Sequence, residues 1–154
     1  MIPRGDGDGW TYCAQGHKHW GIYGAAGLLL WHADGVGQLR VLLQHRALWS
    51  HHGGTWGILG GARNSDETAA EAAAREATEE AGLLRSTYCV GGEHVDDHGG
   101  WSYTTVIGHT DRALSLTALT AETIGVRWVP ADAVVALPLH PGFAATWDVV
   151  RTLT

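Results

Sequence analysis

Residues 61–83 have the sequence GARNSDETAAEAAAREATEEAGL, and this segment is the best starting point for predicting the architecture. If the chain is helical after Glu67, then Glu76, Glu79 and Glu80 lie on one face, because they are three and four residues apart. Like charges at this spacing weaken an isolated helix unless a cation lies between them. Carboxylate oxygens are hard ligands, so the segment predicts a site for a divalent ion such as Mg²⁺ or Mn²⁺.

The two ends of this predicted helix are also marked. Ser65 or Asp66 can accept hydrogen bonds from the first free backbone amides, and Gly82 can adopt the left-handed conformation that ends a helix. We expect a stripe of alanines opposite the glutamates, where it lets the helix lie close to a sheet. The stripe consists of Ala70, Ala74, Ala77 and Ala81. For the charges alone, an amphipathic helix with a solvated acidic face is the simpler interpretation.

The complete spacing resembles the signature of a known family, the Nudix box of hydrolases that cleave nucleoside diphosphates linked to another moiety. The matching pattern is Gly61-x5-Glu67-x7-Arg75-Glu76-x2-Glu79-Glu80-x-Gly82-Leu83. The resemblance implies an α/β fold, specifically a Nudix-type α/β/α sandwich with a mixed β-sheet. It also implies a pyrophosphohydrolase that acts on a phosphoanhydride bond of a small nucleotide and uses Mg²⁺ or Mn²⁺.

The same resemblance assigns the metal to the box. Glu79 and Glu80 are implied as the principal ligands, Glu76 faces the same site, and the backbone carbonyl of Gly61 adds an oxygen. Divalent ions lower the barrier to phosphoanhydride hydrolysis, because they stabilise the negative charge that develops on the phosphoryl oxygens.

Further charged residues are expected to act beside the ligands. Arg75 lies four residues from Glu71 and from Glu79, so it can orient either carboxylate. Glu67 falls in the first helical turn, where the helix dipole favours a negative charge, and the resemblance implies a supporting role for it. The base that activates water is predicted to be a box glutamate, with Glu122, in the loop before the last strand, as the next candidate. Acidic residues elsewhere are alternatives for this base: Glu93, Asp96 and Asp97.

Substrate binding is predicted from the segment before the box. Arg46 resembles an arginine that often follows the second strand and could meet a phosphate. Trp49 and Trp56 flank the loop that leads to the box and could stack on a nucleobase. Other tryptophans lie in apolar segments and are predicted to be core residues: Trp20, Trp31, Trp128 and Trp147.

The box leaves the substrate open. We expect a nucleoside triphosphate, ordinary or oxidised, that is cleaved to the monophosphate and pyrophosphate. One alternative is a pyrophosphatase of ADP-ribose or another nucleotide sugar, and another is a nucleotide-binding sensor without turnover. Sensors usually lose box carboxylates, whereas this chain keeps Glu76, Glu79 and Glu80.

Length and composition favour one domain. For a chain of 154 residues we predict a flexible tail over residues 1–9, rich in glycine and aspartate, and a single domain over residues 10–154. The net charge of −6 argues against nucleic-acid binding through phosphates, and no apolar run is long enough to span a membrane. A cytoplasmic location is therefore expected, and the resemblance is compatible with a homodimer.

Cys13, His17 and His19 form a second notable group. Thiolate and imidazole can bind zinc, but a structural zinc site needs four ligands and only three are local. A polar strand or loop is therefore the preferred interpretation, and His94 and His98 are likewise assigned to solvated loops.

The rest of the chain predicts strands and helices around the box. Strands are expected at residues 21–32, 39–45, 87–95, 101–109 and 125–129, and helices at 130–137 and 143–153.

Overall fold

A computed structural model describes residues 5–154 of the chain. In this part the strands are β1 (Trp10–Tyr12), β2 (Lys18–Trp20), β3 (Ala25–Ala33), β4 (Leu39–Arg46), β5 (Trp56–Gly57), β6 (Leu59–Ala62), β7 (Cys89–Asp97), β8 (Ser102–His109) and β9 (Thr123–Pro130). The helices are α1 (Ala69–Ala81) and α2 (Pro141–Val150), with 3₁₀ helices at Arg85–Thr87, Ala131–Ala136 and Arg151–Leu153. Within the described residues, no helix is long and apolar enough to cross a membrane.

The central strand of the main sheet is β3. It runs parallel to β8, from the pair Ala25 and Tyr103 to the pair Trp31 and His109. It is antiparallel to β6 near its beginning and to β4 near its end. β4 also pairs with β5 and β9, and β7 forms an antiparallel hairpin with β8. Parallel and antiparallel pairs thus share one sheet, which confirms the predicted mixed sheet.

Helices cover both faces of this sheet and confirm the predicted α/β/α sandwich. On one face, the alanines of α1 pack in a cluster with Leu28 and Leu42. On the other face, Phe143 and Trp147 of α2 pack in a cluster with Leu29. β3 supplies alternate residues to both clusters, so its sequence is apolar throughout.

The beginning of α1 differs from the prediction. Its N-cap is Thr68 rather than Ser65 or Asp66. The Thr68 hydroxyl accepts a hydrogen bond from the Glu71 amide, and the Glu71 carboxylate accepts one from the Thr68 amide. This capping box satisfies two amides that would otherwise lack partners. Gly82 ends the helix with a φ of 68°, as predicted.

The buried face of α1 differs from the predicted alanine stripe. Its buried residues are Ala72, Ala73, Ala77, Glu80 and Ala81. Ala70 is only partly buried but packs against the same cluster, whereas Ala74 is partly buried and is not part of the cluster. The prediction is wrong in placing every box glutamate opposite the alanines, because Glu80 is only 9% exposed. One box carboxylate thus enters the contact between helix and sheet, which also excludes the simpler interpretation of the charges as a fully solvated acidic face.

Two other predictions need correction. Residues 130–137 contain the 3₁₀ helix Ala131–Ala136 instead of an α-helix. Trp147 is buried and Trp31 and Trp128 pack against the clusters, but Trp20 is 38% exposed. Trp20 belongs to the hairpin of β1 and β2, which forms a two-stranded sheet of its own. A polar strand or loop was predicted for this segment, but not its pairing into a hairpin. A two-stranded ribbon buries little of its side chains.

The N-terminal segment is described from Gly5 onward. The amides of Gly21 and Ile22 donate to the carbonyls of Gly9 and Gly7 at 2.8 and 2.9 Å. Residues 1–4 of the predicted tail lie outside the described residues, and the flexibility of residues 1–9 and the single domain over 10–154 stay predictions.

Candidate active site

Arg75 joins the loop before α1 to the acidic face of the helix. Its guanidinium donates to both carboxylate oxygens of Glu67, with Nη2 at 3.0 Å from Oε2, and to the carbonyl of Ala62 at 3.0 Å. Nη1 lies 3.0 Å from Glu76 Oε1 and 3.4 Å from both oxygens of Glu79. One planar cation with several donors thus contacts three carboxylates, which a point-like ammonium could not do.

The partners of Arg75 and Glu67 differ in detail from the expectation. Arg75 contacts Glu79, but Glu71 is engaged in the capping box. Glu67 precedes the N-cap instead of lying in the first turn, and its carboxylate also accepts from the Asn64 amide at 3.0 Å. These hydrogen bonds, with that from Arg75 first, hold the pKa of Glu67 below its usual value, and Glu67 in turn raises the pKa of Arg75. Glu67 is therefore an ionised anchor for the guanidinium.

Glu80 is the buried carboxylate of the box. Its Oε2 accepts a hydrogen bond from the backbone amide of Gly60 at 3.1 Å. Burial raises the pKa of Glu80 well above its usual value, and the charges of Glu76 and Glu122 raise it further, while Gly60 and Arg46 oppose the rise. A cation beside Glu80 would relieve this unfavourable ionisation.

Glu76 lies against the turn that precedes α1. A Cβ atom at Gly61 would be 2.6 Å from Cδ of Glu76. Burial raises the pKa of Glu76 to about 7, Arg75 lowers it, and Glu79 and Asp8 raise it. Asp8 was missed in the sequence analysis, because it lies in the predicted tail and carries no motif.

The box carboxylates have separate partners in this structure. Arg75 holds Glu76 and Glu79, whereas Gly60 holds Glu80. The donor set nevertheless fits a hard divalent cation, because it consists of carboxylate oxygens. Burial and neighbouring negative charges raise the pKa of two of these carboxyl groups, Glu76 and Glu80.

Arg46 and Glu122 lie on the same side of the domain as Glu80. Both are close enough for their charges to change its pKa. The end of β4 is joined to the loop before β9, because the Ala47 amide donates to the Glu122 carbonyl at 2.8 Å. Arg46 Nε donates to the carbonyl of His51 at 3.0 Å, so its guanidinium is tied to the loop that follows β4.

The two tryptophans predicted to stack on a base have different environments. Trp49 is 69% exposed in the loop after β4. Trp56 is only 9% exposed, and its ring stacks on His45 with 4.3 Å between the centroids. This burial argues against a stacking role for Trp56. A groove of about 480 Å³ elsewhere, which includes Tyr23 and Trp101, is lined by the alternative base Asp97 but by none of the box glutamates.

The alternative bases on β7 have other partners. Asp96 is 2.9 Å from a ring nitrogen of His98, and Asp97 accepts a hydrogen bond from the Gly99 amide at 2.8 Å.

Tyr103 was missed in the sequence analysis, although its side chain lies close to Gly60, the residue before the box. Its hydroxyl would be 2.8 Å from a Cβ atom at Gly60, and burial followed by the charge of Glu80 raises its pKa. No local pattern of β8, whose sequence is SYTTVIGH, distinguishes this tyrosine.

Comparison with known proteins assigns the family. The family model described as NUDIX domain matches residues 24–152. This chain belongs to the Nudix family. A Mycobacterium tuberculosis (strain H37Rv) protein named "Putative 8-oxo-dGTP diphosphatase 3" is 50% identical over 155 residues, covering 97% of this chain and 71% of that protein. The crystal structure of the Nudix hydrolase RenU from M. smegmatis matches with a TM-score of 0.89 at 46% identity, covering 95% of this chain and 94% of that chain.

A further Nudix relative is longer. The "Nucleoside triphosphate pyrophosphatase/Nudix hydrolase fusion protein" of Bifidobacterium longum is 44% identical over 160 residues, covering 95% of this chain and 33% of that protein. As a Nudix hydrolase, this chain acts on phosphoanhydride bonds of small nucleotides.

Proposed function

We propose that the chain is a divalent-metal-dependent pyrophosphohydrolase of nucleoside triphosphates, with oxidised guanine nucleotides as its preferred substrates. The observation that carries the metal-dependent reaction is the burial of Glu80, whose carboxylate accepts a hydrogen bond from the Gly60 amide. Burial, followed by the negative charge of Glu76, raises the pKa of Glu80, and a bound cation would stabilise its ionised form. The substrate class is supported by the name of the M. tuberculosis relative.

In this proposal the box residues hold the metal. Glu76, Glu79 and Glu80 are the ligands, and the Gly61 carbonyl adds an oxygen. A bound Mg²⁺ or Mn²⁺ would stabilise the charge that develops on the phosphoryl oxygens. Arg75 keeps Glu76 and Glu79 in place, and Glu67 keeps Arg75 in place.

The remaining residues act on water and on the substrate. A box glutamate takes the proton of the attacking water, with Glu122 as the second candidate because its charge acts on Glu80. Arg46 contacts a phosphate, and the exposed ring of Trp49 stacks on the base.

The test is a substrate panel with a matched pair of variants. Pyrophosphate or phosphate release is measured with Mg²⁺ or Mn²⁺ for ordinary and oxidised nucleoside triphosphates, ADP-ribose, other nucleotide sugars and dinucleoside polyphosphates. We expect turnover of the oxidised guanine nucleotides, and we expect Glu80→Gln to lower kcat at least about a hundredfold by weakening metal binding.

Glu71→Gln is the control for this experiment. Like Glu80→Gln, this variant replaces one glutamate of α1 with glutamine. Glutamine at position 71 preserves the capping box, so turnover should stay near that of the unmodified protein. Near-normal turnover in Glu80→Gln would contradict the metal assignment. Activity confined to ADP-ribose or nucleotide sugars would contradict the substrate class and leave the hydrolase intact.

A further inference from the structure

Cys13, His19 and His98 meet outside the Nudix box, where the β1–β2 hairpin contacts the turn between β7 and β8. One ligand atom of each lies within 4.8 Å of those of the other two. Among residues 5–154, this is the one group of three Cys, His, Asp or Glu side chains that meets this criterion. The third member of the cluster is therefore His98, which the sequence analysis assigned to a solvated loop, and not His17, which is near Cys13 in sequence.

The backbone holds Cys13 in a tight loop. Its amide donates to the carbonyl of His17 at 3.0 Å, and its carbonyl accepts from the amide of Gly16 at 2.9 Å. The Cys13 side chain is only 6% exposed, while Cys89 is an exposed free cysteine elsewhere on the surface. Cys13 is thus a buried thiol without a disulfide, next to two imidazoles.

Neighbouring side chains orient the two imidazoles. Nε2 of His98 lies 2.9 Å from Oδ2 of Asp96, which leaves Nδ1 free to bind a metal. A carboxylate on the second nitrogen of a ligating histidine is a frequent arrangement around zinc. The His19 ring stacks on Trp101, with centroids 3.9 Å apart and an interplanar angle of 7°.

One ring nitrogen of His19 has no partner. This atom, Nε2, is buried and has no hydrogen-bond partner among the described residues. A buried polar atom of this kind is costly unless something binds it. Burial, followed by the charge of His98, lowers the pKa of His19 and so favours the neutral imidazole, which is the form that binds metals.

We propose that Cys13, His19 and His98 bind one zinc ion, with a water molecule as the fourth ligand. A thiolate with two imidazoles suits zinc, whereas Mg²⁺ prefers oxygen ligands. Tetrahedral zinc separates such ligand atoms by about 3.3 to 3.6 Å, so side-chain adjustments of about 1 Å complete the site.

The ion would fasten the hairpin to the main sheet. β1 and β2 form a separate two-stranded sheet, and such hairpins are marginally stable alone. The Ala14 amide already donates to the Gly99 carbonyl at 2.7 Å, and the Trp101 indole donates to the Gly21 carbonyl at 2.9 Å. Zinc at this position would add a third link between the same segments.

The test uses the full chain and two matched pairs of variants. Each protein is dialysed against metal-free buffer and titrated with Zn²⁺ against a chromophoric chelator, and in parallel with Co²⁺ to detect thiolate-to-metal charge transfer. Cys13→Ser is compared with Cys89→Ser, and His98→Ala with His94→Ala, because Cys89 and His94 lie outside the cluster. Circular dichroism and nucleotide hydrolysis verify that every variant is folded.

We expect one equivalent of Zn²⁺ per chain in the unmodified protein and in both controls. Cys13→Ser and His98→Ala should each weaken Zn²⁺ binding at least about a hundredfold, and Cys13→Ser should abolish the charge-transfer band. Asp96→Asn should weaken binding about tenfold or more while keeping the band. Weak Zn²⁺ binding by the unmodified protein, or equal binding by Cys13→Ser and Cys89→Ser, would overturn the proposal.

Discussion

Gly61 lies so close to Glu76 that a side chain at this position would displace the carboxylate. An added Cβ atom would be 2.6 Å from Cδ and Oε1 of Glu76. The φ of Gly61 is not positive, so the backbone itself tolerates alanine. We expect Gly61→Ala to lower kcat/KM about a hundredfold, since displacements of about 1 Å in an active site have effects of this size. Steady-state hydrolysis with Mg²⁺ measures the loss.

Gly125 provides the matched control for this substitution. It is also a strand residue with no positive φ, and an added Cβ atom there would have nothing within 4 Å. Gly125→Ala should therefore keep the activity of the unmodified protein. Equal activity of the two variants would show that the contact between Gly61 and Glu76 is irrelevant to catalysis.

At the scale of elements, α2 begins with a histidine that can titrate. His140 is the N-cap, and its Nδ1 accepts a hydrogen bond from the Gly142 amide at 3.0 Å, which requires an unprotonated nitrogen. Burial, then the positive charges of Arg46 and His52, lowers the pKa of His140 to about 4. The folded pKa is below the unfolded value, so this stabilisation is complete above about pH 6.5 and is lost as the pH falls toward 4.

His140→Asn tests this pH dependence, because asparagine is a good N-cap that does not titrate. The free energy of unfolding of the unmodified protein, relative to that of His140→Asn, should fall by about 1 kcal/mol between about pH 7.5 and pH 5. Urea denaturation at several pH values measures it. Parallel pH profiles for the two proteins would contradict the assignment of His140 as a titrating cap.

The elements that sequence analysis predicts well are those with local signals. β3 and α1 were found because apolar content, charge spacing and Gly82 lie within the elements themselves. The N-cap was misplaced because Ser65, Asp66 and Thr68 are all suitable capping residues, and only Thr68 has a glutamate three residues later. The capping-box spacing of Thr68 and Glu71 therefore marks the N-cap within the sequence itself.

At the scale of the whole molecule, the errors concern contacts between distant segments. His98 joins Cys13, Asp8 acts on Glu76, and Trp20 stays exposed because of how the chain folds back on itself. No local pattern encodes these pairings, whereas the box residues could be identified because their spacing matches a family pattern.

The buried carboxylates also make the stability of the whole domain dependent on pH and on metal. The pKa of Glu76 is about 7 in the folded protein, above its value in the unfolded chain. Below about pH 4.5 the side chain is protonated in both states, so its titration does not affect the free energy of unfolding. As the pH rises through 7, the stability that the protonated form contributes is lost. The pKa of Glu80 is raised in the same direction. A divalent cation that binds the ionised carboxylates should therefore stabilise the fold more at high pH than at low pH.

We expect added Mg²⁺ to raise Tm by several degrees at about pH 8 and by much less at about pH 5.5. Glu76→Gln should lose most of the Mg²⁺ effect at pH 8, and its Tm without Mg²⁺ should fall less than that of the unmodified protein between the two pH values. These measurements use no chelator, so that the proposed zinc site stays intact. Cys13→Ser is the control and should keep the full Mg²⁺ effect on Tm, because thiolate and imidazole ligands do not select Mg²⁺. An equal rise in Tm at both pH values, or an unchanged rise in Glu76→Gln, would show that Mg²⁺ does not bind the ionised box carboxylates.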